Sequence, residues 1–198
     1  MSVEETILKR IKRGKKGTIY FTEDFHGEFS QESVRLAFHR LVNKGEVYRL
    51  ANGIYVRPEV NSYIGPVLPT AEDIAWAIAK RDQAKIIPSG ALALNLLGLS
   101  TQVPLNLVYL TDASPRMIKV GNRSIKFKKV APKNLSTKGE ISGLAIQALK
   151  TLGKEKLDPD RENRLIEVLK KEDQKHLIHD AKLAPEWIRK VFKKAMKS

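Results

Sequence analysis

The sequence predicts an α+β protein. A small helix-and-hairpin module comes first, a mixed α/β domain follows, and the chain ends in a helical segment. Three observations carry this prediction. Residues 31–44 place apolar side chains at helical spacing and are followed by a glycine and two short β-type segments. Residues 58–69 hold Pro58, Gly65, Pro66 and Pro69 with little periodicity, as a connector does. Beyond them the two-residue period of strands and the longer period of helices alternate. The expected organisation is residues 1–60 as the first module, 61–69 as a linker and 70–198 as the second domain.

In chain order, Val3 to Arg13 reads as a helix with Ile7, Leu8 and Ile11 inward and Lys9, Arg10, Lys12 and Arg13 outward. Gly14 to Gly17 ends it, Thr18 to Phe21 is β-like, and Thr22 is a candidate cap for a single turn through Asp24 and Phe25. Ser30 then caps a helix whose apolar stripe is Val34, Ala37, Phe38 and Leu41. Gly45 stands where a left-handed residue closes a helix. Glu46 to Leu50 and Ile54 to Arg57 follow, joined by Asn52-Gly53, a pair suited to tight hairpin turns. Helix, strand, short helix, helix and hairpin are the order of a winged helix-turn-helix.

In the second domain, Thr70 with Asp73 at the third position starts a helix burying Ile74, Ala75, Ile78 and Ala79, with Trp76 at an edge. Ser89-Gly90 opens a small-residue helix, Ala91 to Leu97, apolar nearly all round and therefore expected to be buried. Leu105 to Thr111 reads as a strand, and Arg116 to Val130 as a hairpin turning at Gly121-Asn122. Helices follow at about Lys138 to Thr151, Pro159 to Lys171 and Pro185 to Lys197, the middle one started by Asp158 and Pro159. The last places Trp187, Ile188, Val191, Phe192 and Ala195 on one side, a stripe suited to packing on its own domain or to a partner's groove or a membrane surface.

Charge narrows the partners. The formal net charge is +14 and the pI about 9.9, which favours polyanions, nucleic acid above all. Residues 1–68 hold 11 Lys/Arg against 8 Asp/Glu, so most of the excess lies in the second domain. There is no cysteine, hence no disulfide framework and no thiolate chemistry. The N-terminus lacks the apolar core of a signal peptide and no run of about 18 apolar residues exists, so a cytoplasmic protein is expected.

The outward residues of the second helix and the hairpin are the candidate DNA contacts: Gln31, Arg35, His39, Arg40, Lys44, Arg49 and Arg57. Arg can grip a guanine edge with two hydrogen bonds, Gln can pair with adenine, and Lys or Arg can sit on phosphates. Within this set Arg35, His39 and Arg40 are assigned to bases or nearby phosphates, and Arg49 and Arg57 to the backbone or minor groove. A second patch comprises Arg116, Lys119, Arg123, Lys126, Lys128 and Lys129, with Lys133 beyond and no acid between. It reads either as a nucleic-acid or partner-facing surface or as an exposed strand guarded by lysines against edge pairing.

Signals for catalysis are weak. Asp158-Pro159-Asp160 has the form of a metal-binding pair, but Asp158 is accounted for as a helix cap and a third carboxylate is missing. His176 and His179, flanked by Asp173 and Asp180, lack a clear third ligand. No phosphate-binding loop or nucleophile motif is present, so no enzyme, cofactor or metal is expected.

Three stretches together, ANGIYVRP, PSGALALNLLGLS and NLVYLTDASPRMIKVGNRSIKFKKV, resemble the AbiEi family of bacterial antitoxins, and the similarity runs over nearly the whole chain. The resemblance implies an antitoxin of a type IV toxin–antitoxin system, active in phage defence. Such a protein opposes a nucleotidyltransferase-like toxin without needing a stable complex with it. It represses its own operon through the winged helix, with inverted repeats as the expected operator, and the second domain carries the antitoxicity. The rival expectation is an interaction module that sequesters a toxin or enzyme directly and uses its N-terminal module only for packing.

Overall fold

The first helix is closed at its start by side-chain hydrogen bonds. In the computed structural model, which describes residues 1–197, helix α1 (Val3–Arg13) opens with a reciprocal cap. Ser2 Oγ accepts the Glu5 N–H at 3.2 Å, and the Ser2 N–H donates to the Glu5 carboxylate at 2.8 Å. Strand β1 (Ile19–Phe21) leads into a 3₁₀ turn, Thr22–Phe25. Asp24 holds that turn, accepting the Phe21 N–H at 2.9 Å, where the sequence suggested Thr22.

Helix α2 (Gln31–Asn43) starts at Ser30, whose Oγ accepts the Ser33 N–H at 3.3 Å. It stops at Gly45, with φ of 70°; the Gly45 N–H bonds to Val42 and the Glu46 N–H to Leu41. Strands β2 (Tyr48–Ala51) and β3 (Ile54–Val56) follow, and β3 lies central in a three-stranded antiparallel sheet of order β1-β3-β2. The stripe expected on α2 is buried against Ile7, Ile11, Phe25, Val47 and Tyr55. Phe38 stacks on Tyr55 at 4.2 Å and meets the edge of Phe25 at 5.5 Å. Burial of each such side chain contributes about 1.5–3 kcal/mol.

The connector is structured. Residues Glu59–Asn61 (β4) and Gly65–Val67 (β5) form an antiparallel hairpin, a two-stranded sheet that among the described residues pairs with no third strand. Asn61 Oδ1 accepts the N–H groups of Tyr63 and Ile64, at 2.8 and 3.2 Å, and Gly65 takes φ of 77° to complete the reversal. Helix α3 (Ala71–Arg81) opens with the capping box read from Thr70 and Asp73. Two compact units result. One comprises Met1–Ile78 with Ile118–Asn122, the other Ala79–Met117 with the chain from Arg123 onward, so the division falls inside α3 and not at residues 61–69. The residues read as a connector form the hairpin.

The second unit contains a strand that the sequence reading did not anticipate, β6 (Ile86–Ser89). Pro88 hides it, yet β6 is an edge strand, where a missing N–H is tolerated. Strands β7 (Asn106–Thr111), β8 (Arg116–Val120) and β9 (Arg123–Lys129) complete a sheet of order β6-β7-β9-β8, with β7 and β9 parallel. Helix α4 (Gly90–Leu96) is not fully buried as expected: Leu92 and Ala93 are inside, but Leu96 is exposed.

Helices α5 (Glu140–Leu152), α6 (Pro159–Leu169), α7 (Gln174–Ala181) and α8 (Glu186–Lys197) surround a core that includes Leu97, Ile146, Leu149, Leu165, Leu177, Ile188 and Phe192. The apolar stripe of α8 is thus used internally. Among the described residues no helix is long and apolar enough to cross a membrane.

Candidate nucleic-acid interface

Helix α2 presents its polar face outward because the opposite face is fixed by Val34, Ala37, Phe38 and Leu41. Gln31, Arg35, His39, Arg40 and Lys44 are all exposed. Among the described residues the side chains of Gln31, Arg35 and Arg40 make no hydrogen bond or ion pair, so their donors are free for a ligand. His39 Nδ1 lies 3.4 Å from Asn43 Nδ2, and Lys44 is ion-paired with Glu4 on α1. That pair is exposed on the Lys44 side, where it adds little stability.

The two hairpin arginines are held differently. Arg49 folds over its own turn, donating to Asn52 Oδ1 at 2.8 Å and to the Ala51 carbonyl at 3.4 Å. Arg57 is half-buried and donates to the Lys12 carbonyl at 3.3 Å, while the Tyr20 hydroxyl donates to the Ile11 carbonyl at 3.3 Å. Arg57 satisfies a carbonyl that the end of α1 would leave open, while the Ile11 carbonyl also accepts the Gly14 N–H at 3.2 Å. Arg57 therefore also caps α1 through one of its guanidinium donors. Its partner lies 45 residues away, out of reach of local sequence reasoning.

The second basic patch is divided by the pleat. Arg116 is ion-paired with Asp82 and lies over the Phe127 ring at 5.4 Å, on the face that buries Ile125 and Phe127. Arg123 is half-buried and shares that face by alternation. Both therefore lie on the face opposite to Lys126 and Lys128. Lys126 and Lys128 point to the opposite face, directly across from Val108 and Leu110 of β7, and Lys129 is exposed at the strand end. Lys119 is exposed on the part of β8 grouped with the first unit. Strand β9 lies between β7 and β8, so guarding an open edge does not explain its lysines.

Elsewhere the carboxylates and histidines serve the helices. Asp158 accepts the Arg161 N–H at 2.8 Å, the cap expected from sequence. Asp173 caps α7, and the N–H groups of Lys175 and His176 hold its carboxyl below the ordinary value. Asp180 is fully buried and accepts from the N–H groups of Lys138 and Gly139 and from the Ser142 hydroxyl, with His179 Nδ1 at 2.7 Å. Burial pushes its carboxyl up, but His179, Ser142, Lys138 and Gly139 outweigh burial and hold it below the usual range. Glu172 accepts two further N–H groups of that turn, those of Ile141 and Ser142, at 2.9 and 3.2 Å. Two carboxylates thus neutralise the positive end of α5. Sequence reasoning placed Asp180 beside a possible histidine ligand pair and missed this role.

These features define an α+β protein whose first unit offers an unpaired Gln and two unpaired Arg on one helix, next to a three-stranded sheet. The chain belongs to the family of unknown function DUF6088, whose sequence model matches residues 6–177. No curated protein matches the chain.

Proposed function

We propose that this protein binds DNA through its first unit, with α2 as the recognition helix of a winged helix-turn-helix and the β2–β3 hairpin as the wing. The observation that carries the reading is the set Gln31, Arg35 and Arg40, exposed, unpaired and on one rigid helix. Free Arg and Gln donors on a helix are what major-groove base edges accept. Arg49 at the hairpin turn adds a cation where a wing meets the backbone.

Together with the resemblance to AbiEi antitoxins, this supports a cytoplasmic antitoxin that represses its own operon and opposes a nucleotidyltransferase-like toxin. Lys126, Lys128 and Lys129 then supply a second contact to a nucleic-acid backbone.

A gel shift of the full chain on its own upstream region, against scrambled DNA at two salt concentrations, tests the reading. A shift specific to the upstream DNA and lost in Arg35→Ala/Arg40→Ala supports it. Equal binding to both DNAs that vanishes with salt reports net charge alone and overturns it.

A further inference from the structure

The β4–β5 hairpin is the most exposed apolar feature of the first unit. Tyr63 is 94%, Ile64 74% and Val60 69% exposed, and Val67 and Leu68 are nearly half exposed. Residues 58–69 carry one acid, Glu59, and no Lys or Arg, in a chain of net charge +14.

The two edges of the hairpin differ. Val60 pairs with Pro66, which has no N–H to give, so this is a non-hydrogen-bonded pair and the bonded pairs are Glu59 with Val67 and Asn61 with Gly65. The N–H and C=O of Val60 therefore point away from β5. On β5 the corresponding edge position is Pro66, which offers a carbonyl and no donor. One edge is open and the other is blocked: among the described residues no third strand pairs with the open one, and the hairpin itself carries no lysine to guard it.

We propose that β4 is a self-association edge: two copies of this chain join by antiparallel pairing of Glu59–Asn61 across a two-fold axis centred on Val60. Charge selects this occupant. Two strongly basic molecules repel over most of their surface, and a cation-free arm lets them meet without opposing like charges. The register places each Glu59 across from Asn61 of the other copy and not against its equivalent. Duplex DNA fits the arm poorly, since it has no cation for phosphate. The blocked β5 edge stops the assembly at two. The contact is small, so association is weak in free solution and is strengthened when two copies sit on adjacent half-sites.

The test uses the full chain without DNA, so its outcome is separate from that of the DNA-binding reading. Because the chain has no cysteine, Val60→Cys introduces a single thiol. In the proposed pair the two Cα atoms are about 5.5 Å apart, within disulfide reach. Mild oxidation is expected to give a cross-linked dimer from Val60→Cys and not from Val67→Cys on the blocked edge. Sedimentation equilibrium in high salt, which screens the repulsion, is expected to show a reversible dimer. Val60→Pro, its folding checked by circular dichroism, should weaken that dimer about tenfold or more, as loss of a central contact does. A strictly monomeric wild type, equal cross-linking at both positions, no cross-link at residue 60, or a dimer indifferent to Val60→Pro overturns the proposal.

Discussion

The backbone N–H of Gly139 donates to Asp180 Oδ2 at 2.9 Å, tying the start of α5 to the end of α7 across 41 residues. The same carboxylate oxygen accepts the Ser142 hydroxyl, so one buried charge fixes the helix start and the side chain behind it.

Acid should weaken this arrangement. The folded carboxyl of Asp180 is held below its ordinary value, so the unfolded chain binds the proton more readily. Its stabilisation is complete above the unfolded carboxylate range, near pH 4, and is lost as pH falls through the folded value. Urea midpoints measured from neutral to acid pH should fall along this course in the wild type. Asp180→Asn should flatten the dependence, and Asp180→Ala should cost about 3 kcal/mol at neutral pH by stranding buried donors. An unchanged acid profile in Asp180→Asn would assign the sensitivity to other groups.

Gly139 is held by space more than by backbone angle. A methyl group there would lie 2.3 Å from Glu172 Oε2 and 2.4 Å from Ser142 Oγ. Gly139→Ala should therefore expel the Glu172 carboxylate from the Ile141 and Ser142 N–H groups and cost roughly 1–3 kcal/mol. Chemical denaturation measures it, and a neutral substitution would show that Glu172 can move without loss.

Arg35 and Arg57 should separate recognition from stability. Arg35→Ala should weaken binding to the upstream DNA by about 1–3 kcal/mol with little change in folding, as loss of a bidentate base contact does. Arg57→Ala should instead lower stability by about 1 kcal/mol, since it uncaps α1, and leave discrimination between upstream and scrambled DNA intact. Fluorescence anisotropy paired with thermal melts reads both. The opposite pattern would exchange the two assignments.

Lys126 and Lys128 should act through salt. If each neutralises a phosphate, Lys126→Gln/Lys128→Gln should reduce the slope of log K against log salt by roughly 2 on duplex DNA, without altering sequence preference. Arg116→Gln, which breaks the pair with Asp82, should change stability and leave that slope alone. An unaltered slope in the double lysine variant would remove β9 from the interface.

What the sequence determined by itself was local. The stripe of α2, its start at Ser30 and stop at Gly45, the Thr70–Asp73 capping box and the Asp158 cap each depend on residues within one or two helical turns. The exposed face of α2, with Gln31, Arg35 and Arg40, follows from that stripe and was legible for the same reason. Tertiary structure decided whatever needed a distant partner. Arg57 became a cap because Lys12 lies beside it, and Arg116 turned inward because Asp82 and Phe127 receive it. Asp180 is buried because Lys138, Gly139 and Ser142 gather around it from about 40 residues away. The parallel pairing of β7 with β9, which makes the lysine-bearing strand interior, is likewise invisible in any window of sequence. Periodicity and capping record short-range sterics and hydrogen bonding. Which charge is buried and which is left to meet a ligand is settled only when loop closure brings remote segments together.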